Sequence, residues 1–205
     1  MQLLIRIFLL LSSFQLTSAI ADEAGSQFTS FAGIDLGTLT LDQITERFGP
    51  SKIQLSGDGG ESREVVCYRT KDGYLSFISG EMGGPEHTLL AFGISSKAKH
   101  QDCPNISSKY AKLKLRLSGL HLGMTKNEFE HEIGKKVKWN DHIGRAFLRS
   151  KELMTKSEID DLPPEVREKT LAGQYQNYYD VVVSIVGKFT GNELTEFEVW
   201  KVESL

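Results

Sequence analysis

The chain has 205 residues, 40% of them hydrophobic and 25% charged, with 24 Lys+Arg against 27 Asp+Glu and a formal net charge of −3. That composition belongs to a folded globular protein and excludes a collagenous, low-complexity or disordered one. The near-neutral, slightly acidic total also excludes a nucleic-acid binder that works through bulk positive charge, so no nucleic-acid partner is expected.

The amino terminus places Arg6 among Leu3, Leu4, Ile5, Ile7, Phe8 and the run Leu9 to Leu11, followed by Ser12-Ser13 and then Ala19-Ile20-Ala21. A charged start, a short apolar run and a small-residue A-x-A site in that order predict a cleavable signal peptide over residues 1–21, with the working protein starting at Asp22. The apolar run falls well short of the roughly 20 residues a bilayer span needs, and no later segment comes closer, so no transmembrane segment is expected. No cysteine stands at the cleavage point to carry a lipid, the cysteines being Cys67 and Cys103 alone. The expected location is therefore periplasmic or secreted. Two cysteines in such an oxidising compartment predict a Cys67–Cys103 disulfide, with two separate thiols as the alternative.

An internal repeat organises the remainder. Ile34-Asp35-Leu36-Gly37 leads to Thr40, Gln43, Ile44, Phe48 and Gly49. Leu120-His121-Leu122-Gly123 leads to Thr125, Glu128, Phe129, Ile133 and Gly134, and the last five positions of each set stand 85 residues apart. Each shared position has a physical task. Thr40 and Thr125 are N-caps, and Gln43 and Glu128 three residues on complete capping boxes. Ile44 with Phe48, and Phe129 with Ile133, form i,i+4 apolar stripes. Gly49 and Gly134 stop the helices, the first reinforced by Pro50. Each copy thus opens with an amphipathic helix of about nine residues, too short to be stable unless it packs on something.

The segments after each helix read as antiparallel strands. In the first copy Asp58-Gly59-Gly60 is a hairpin turn by composition. Arg63–Thr70, Tyr74–Ser79 and Thr88–Ile94 then form a meander around the Lys71-Asp72-Gly73 turn. In the second copy Arg145–Lys151 echoes the first strand, and Asp180–Phe189 with Leu194–Val202 makes a last hairpin around Gly191-Asn192. Between them lies an insertion over residues 153–177, where Pro163-Pro164 interrupts two short helical patterns. Lys112 to Leu117 alternates strictly and predicts a strand with a lysine-bearing face. The expected fold is α+β: two tandem repeats, each a short helix region packed on an antiparallel β-sheet. Residues 22–96 form the first, 97–117 a basic linker or strand, and 118–205 the second with its insertion.

The pattern L-G-x-T-x-x-(Glu/Gln)-apolar-x-x-x-apolar-G, carried by Leu36 to Gly49 and Leu122 to Gly134 and followed by strands and the apolar hairpin Val183–Val199, resembles the SmpA/OmlA-type domains. These include the small lipoprotein of the outer-membrane barrel-assembly machine. The pattern is similar also to their fold relatives, the β-lactamase inhibitor proteins, in placing two helix-plus-sheet repeats in one secreted chain. The resemblance covers most of residues 34–94 and 118–203, and it implies a protein-binding part in envelope assembly or enzyme inhibition. The 153–177 insertion has no counterpart in the simple domain.

Few constellations point to chemistry. The five histidines, His87, His100, His121, His131 and His142, show no H-x-x-x-H spacing, and the glycine clusters lack a following Lys-Ser/Thr. No catalytic residue, metal ligand or cofactor is therefore assigned. The basic stretch from Lys97 to Arg116 reads as a solvated linker and strand edge. The other use for it is contact with an acidic partner or, through Lys112, Lys114 and Arg116, with lipid head groups at a membrane surface. Asn105-Ile106-Ser107 fits a glycosylation acceptor in a eukaryotic source. Alternation along Leu194–Val202 puts Phe197 and Val199 toward the core, because the opposite choice buries two carboxylates. Trp200, Glu196 and Glu198 then share the other face as the expected binding residues, unless the insertion or the other repeat covers Trp200. The expected function is an exported, non-catalytic module that binds another protein. The alternative is a periplasmic or secreted hydrolase using carboxylate or histidine residues near the insertion.

Overall fold

The computed structural model describes residues 25–57 and 62–204, so the expected signal peptide and the expected Asp58-Gly59-Gly60 turn lie outside the described residues. Two short helices form where the capping logic places them. In α1 (Leu41–Phe48) the Thr40 hydroxyl accepts the Gln43 N–H at 3.4 Å, while Gln43 Oε1 accepts the Thr40 N–H at 3.0 Å. In α2 (Lys126–Ile133) the Thr125 hydroxyl accepts the Glu128 N–H at 3.3 Å, and Glu128 Oε2 accepts the Thr125 N–H at 2.6 Å. Gly49 and Gly134 close the helices at φ values of 113° and 66°, in the region glycine reaches without strain.

Each helix is entered through a miniature hairpin. β1 (Ser30–Phe31) pairs with β2 (Ile34–Asp35), and β7 (Arg116–Leu117) pairs with β8 (Leu120–His121). Ala32 and Ser118, at φ 52° and 53°, turn the two hairpins. The Gly37 N–H then donates to Leu89 O and the Gly123 N–H to Leu194 O, both at 2.8 Å.

The remaining strands make one antiparallel sheet of eight. After α1 come β3 (Gln54–Ser56), β4 (Arg63–Arg69), β5 (Tyr74–Gly80) and β6 (Ala91–Ser95). After α2 come β9 (Lys138–Asn140), β10 (Ile143–Leu153), β11 (Tyr178–Thr190) and β12 (Glu193–Ser204). Their order across the sheet is β3-β4-β5-β6-β12-β11-β10-β9, so the last strand of each half meets at the centre, with Phe92 across from Val199 and Ala91 across from Trp200. The structure is thus α+β, with a largely antiparallel sheet and a few short helices.

One face of the sheet carries both helices and a single apolar core. Ile44, Phe48, Phe77 and Phe92 from the first half join Phe129, Ile133, Phe189 and Phe197 from the second, all buried. Packing is close. A Cβ added to Gly187 on β11 would lie 2.8 Å from the Phe129 ring, so only glycine lets that ring settle on the strand. Cys67 on β4 is bonded to Cys103, closing a loop across 36 positions of sequence. Among the described residues no helix is long and apolar enough to cross a membrane.

One expectation fails. Lys112 to Leu117 is not a strand of the sheet: only Arg116–Leu117 is in strand form, paired with β8 outside the eight-stranded sheet. The alternation itself is real, because Leu115 and Leu117 are buried while Lys112, Lys114 and Arg116 are exposed. An extended segment laid on a core has the same period as a strand, so the pattern reports burial and not pairing. Its lysines therefore guard no edge of the main sheet. The insertion contributes α3 (Lys156–Asp160), capped by Thr155, and α4 (Pro164–Leu171), which has Pro at its first position.

The matched core positions predict matched costs. Phe48→Ala and Phe129→Ala are each expected to lose about 3–5 kcal/mol in guanidinium unfolding. Thr40→Ala and Thr125→Ala are each expected to lose about 1 kcal/mol. A large loss at one member of a pair with none at the other would contradict equivalent roles for the two helices.

Candidate binding groove on the helix-free face

Side chains alternate along β12. Phe197 and Val199 enter the core, which turns Glu196, Glu198, Trp200 and Val202 to the face without helices. Sequence alternation put Trp200 and both glutamates there, and the structure places them so. On that face the Glu196 and Glu198 side chains are only 16% and 13% exposed.

They are roofed by the loop that follows β6. The Cys67–Cys103 disulfide draws this loop back over the sheet, and Lys99 from it reaches Glu196 Oε1 at 2.6 Å and Glu198 Oε1 at 2.7 Å. Lys188 from β11 holds Glu196 at 2.9 Å, and Arg63 from β4 holds Glu198 at 3.0 Å. Three cations thus converge on two carboxylates, which is how buried charge is tolerated.

Trp200 belongs to the same cluster. Its indole N–H donates to Glu198 at 3.2 Å, and the Arg63 guanidinium lies 4.9 Å from its ring centre. The ring packs against a small second cluster of Val65, Cys67, Ile78 and Ala91, joined by Cys103. The first half of the sheet therefore covers Trp200 in part, leaving it half-buried. Beside it a groove of about 790 Å³ runs between Met82, Arg145, Val186 and Val202, and none of its lining residues comes from the 153–177 insertion. The insertion has its own shallow apolar pocket of about 450 Å³, among Met154, Leu162, Val166 and Tyr175.

Burial works against the Glu198 carboxylate, but Lys99, Trp200 and Arg63 outweigh it and hold the group below the usual carboxylate range. Burial likewise opposes the Lys99 ammonium, and Glu198 and Glu196 outweigh that in turn, holding it above the usual lysine range. His100, one residue on, is pushed down by burial and then by the neighbouring Lys99 charge. In the insertion Glu158 is engaged as a cap partner, accepting the Thr155 N–H at 2.6 Å. Among the described residues no group of three or more His, Cys, Asp or Glu side chains is placed to hold a metal ion.

The sequence signal for Lys99 was its place in the basic stretch, which says nothing about what it covers. Arg63, Arg145, Lys188 and the exposed Phe147 were not singled out, although alternation along β4, β10 and β11 carried the information that they share Trp200's face. Of the expected site residues, Trp200, Glu196 and Glu198 come together, with the Cys67–Cys103 bond beneath them, whereas exposed Lys112, Lys114 and Arg116 lie outside the residues that line the groove. No family model, no curated protein and no solved structure matches this chain.

A carboxyl whose pKa is lowered by folding contributes stability that is complete above its unfolded value, about 4.3, and lost as the pH falls through the folded value. A raised lysine contributes fully below about 10.4 and loses that contribution as the pH rises through its folded value. The cluster therefore stabilises most between about pH 4.3 and 10.4. Glu198→Gln is expected to cost roughly 1–3 kcal/mol at pH 7, and calorimetry should show the difference from the parent shrinking toward pH 3. Replacing both Cys67 and Cys103 by Ala is expected to cost about 4 kcal/mol by the chain-entropy argument. It should also make the acid response of the parent resemble that of Glu198→Gln, because Lys99 loses its tether.

Proposed function

We propose that this chain is an exported, non-catalytic module that binds another protein in the groove at the centre of its helix-free sheet face. The observation that carries the reading is the ion-locked wall of that groove. Glu198 pairs with both Lys99 and Arg63 around a half-buried tryptophan. A general acid or base at neutral pH needs a pKa moved toward 7. Glu198 and Lys99 are moved away from it, one down and one up. Such a surface is rigid and ready-made, with an aromatic anchor of the kind that concentrates binding energy at protein interfaces.

The place of the groove fits two copies of one helix-plus-four-strand unit in the chain, residues 22–96 and 118–205. The equivalent hairpins turned by Ala32 and Ser118, the equivalent capping boxes and the equivalent Gly37 and Gly123 bonds support this reading. With the units side by side the groove lies over their junction and draws Arg63 from one unit, Trp200 and Lys188 from the other, and Lys99 from the 97–117 linker. Export is supported by the disulfide, which persists in oxidising compartments, together with the leader at residues 1–21. The SmpA/OmlA-type resemblance points the same way.

A photo-crosslinking amino acid at Ser184, which lines the groove, is compared with one at Glu46 on the exposed side of α1 in cells that make the protein. The expected result is a discrete protein adduct from position 184, absent from position 46 and lost in the Trp200→Ala background. Because Trp200 also packs, Trp200→Ala is expected to cost roughly 1–3 kcal/mol while leaving the protein folded. An adduct at 184 that persists without Trp200 would remove Trp200 as the anchor, and the lack of any adduct at 184 would remove the groove from the interface.

A further inference from the structure

The two halves of the sheet end differently. β10 is paired with β11 along its whole length, from Ile143 across from Lys188 to Leu153 across from Tyr178. On its other side β9 covers only the start, with Asn140, Trp139 and Lys138 across from Ile143, Gly144 and Arg145. From Ala146 to Leu153 no strand lies along the outer edge of β10 among the described residues, and no other described backbone group bonds to it. In an antiparallel strand every second residue turns its N–H and C=O outward, so this stretch presents about four free donors and about four free acceptors. A row of that kind is a template for another strand.

The side chains along this edge state what would fit. Arg145, Phe147, Arg149, Lys151 and Leu153 alternate onto the helix-free face. Phe147 is 53% exposed and Leu153 73%. Arg145 and Arg149 are exposed and make no ion pair among the described residues, while Lys151 rests 3.9 Å from the Tyr178 ring centre. On the opposite face Ala146 and Leu148 are buried in the core, which fixes the strand against the rest of the protein. The edge is therefore rigid, cationic and interrupted by one aromatic.

We propose that the outer edge of β10, from Ala146 to Leu153, receives an extended acidic segment of a partner protein as a ninth strand. Its main chain pairs with the free N–H and C=O groups, which is strand addition. Carboxylates at alternate positions lie across from Arg149 and Lys151, and an apolar side chain lies across from Phe147. Opposite charges directly across a pair stabilise it and like charges destabilise it. That rule selects the occupant. A second copy of this chain, adding its own β10 by a two-fold axis, sets Arg149 across from itself in the register centred on Arg149 and across from Lys151 in the register centred on Ser150. An acidic strand meets no such repulsion. Arg145 lines the groove, but none of the side chains from Phe147 to Leu153 does, so this inference extends the groove reading and does not rest on it.

The test uses the full chain and a synthetic probe, an eight-residue peptide that carries Glu, Glu and Val at successive positions of one face and Thr along the other, labelled for fluorescence anisotropy. Binding is expected at low salt and weakened as salt rises. The double change Arg149→Glu with Lys151→Glu, both on exposed side chains, is expected to weaken it tenfold or more. The same change should confer binding of the peptide in which Lys replaces Glu. N-methylation of every second amide on one edge of the acidic peptide should abolish binding, whereas methylation of the other edge should leave it intact, because only one edge can pair. Trp200→Ala is expected to leave peptide binding unchanged. Equal binding by both methylated peptides shows a diffuse ionic contact and overturns the proposal, as does binding that survives the charge reversal. Sedimentation that shows the chain self-associating through this edge, abolished by Phe147→Asp, overturns it in favour of a second copy.

Discussion

Five residue pairs, from Glu196 with Ser95 to Trp200 with Ala91, join β6 to β12 and so join the two halves of this protein into one sheet. Segments about a hundred positions apart in sequence are thereby held at strand spacing. The core that both helices share is continuous only because Phe92 and Val199 sit side by side at this seam. The groove exists only because Trp200 and Glu198 of one half come within reach of Arg63 and Lys99 of the other. Without the seam the sheet divides into two four-stranded parts, each with an unpaired inner edge.

The charges over the seam show how its polar face is stabilised. Two glutamates that are themselves largely covered carry a desolvation cost, and a single partner seldom offsets it. Here Lys99 bridges both carboxylates, with Lys188 and Arg63 behind them. The disulfide determines where Lys99 can be, because it fixes the far end of its loop to β4. A covalent constraint, an ion cluster and an aromatic packing contact thus act on the same few side chains.

Pairing along the sheet is asymmetric, and the asymmetry bears on function. At one border β3 and β4 are both short. At the other, β10 and β11 run well past β9, carry the α3–α4 insertion at their far end, and leave a cationic edge uncovered among the described residues. Net charge of the chain, slightly negative, gives no hint of this local concentration. Rigid backbone edges and fixed ion clusters are both surfaces that need little reorganisation on contact.

Much of the local structure was legible in the residues themselves. Thr40 with Gln43 and Thr125 with Glu128 specify helix starts, Gly49 and Gly134 specify stops, and the apolar stripes specify which side is buried, because each of these depends on neighbours within a few positions. Alternation along β12 likewise settled the direction of Trp200, and the even cysteine count pointed to the disulfide that the structure shows. The same period misled at Lys112 to Leu117, since alternation records which side chains are buried and not whether a strand lies alongside. What only the tertiary structure decided is what meets across the chain: Lys99 above Glu196 and Glu198, Arg63 on Trp200, β6 beside β12, and nothing described beside Ala146 to Leu153. Those contacts join residues tens to a hundred positions apart. Their partners are selected by strand order, by loop path and by the mutual relief of buried charge, and none of these leaves a periodic trace in the sequence.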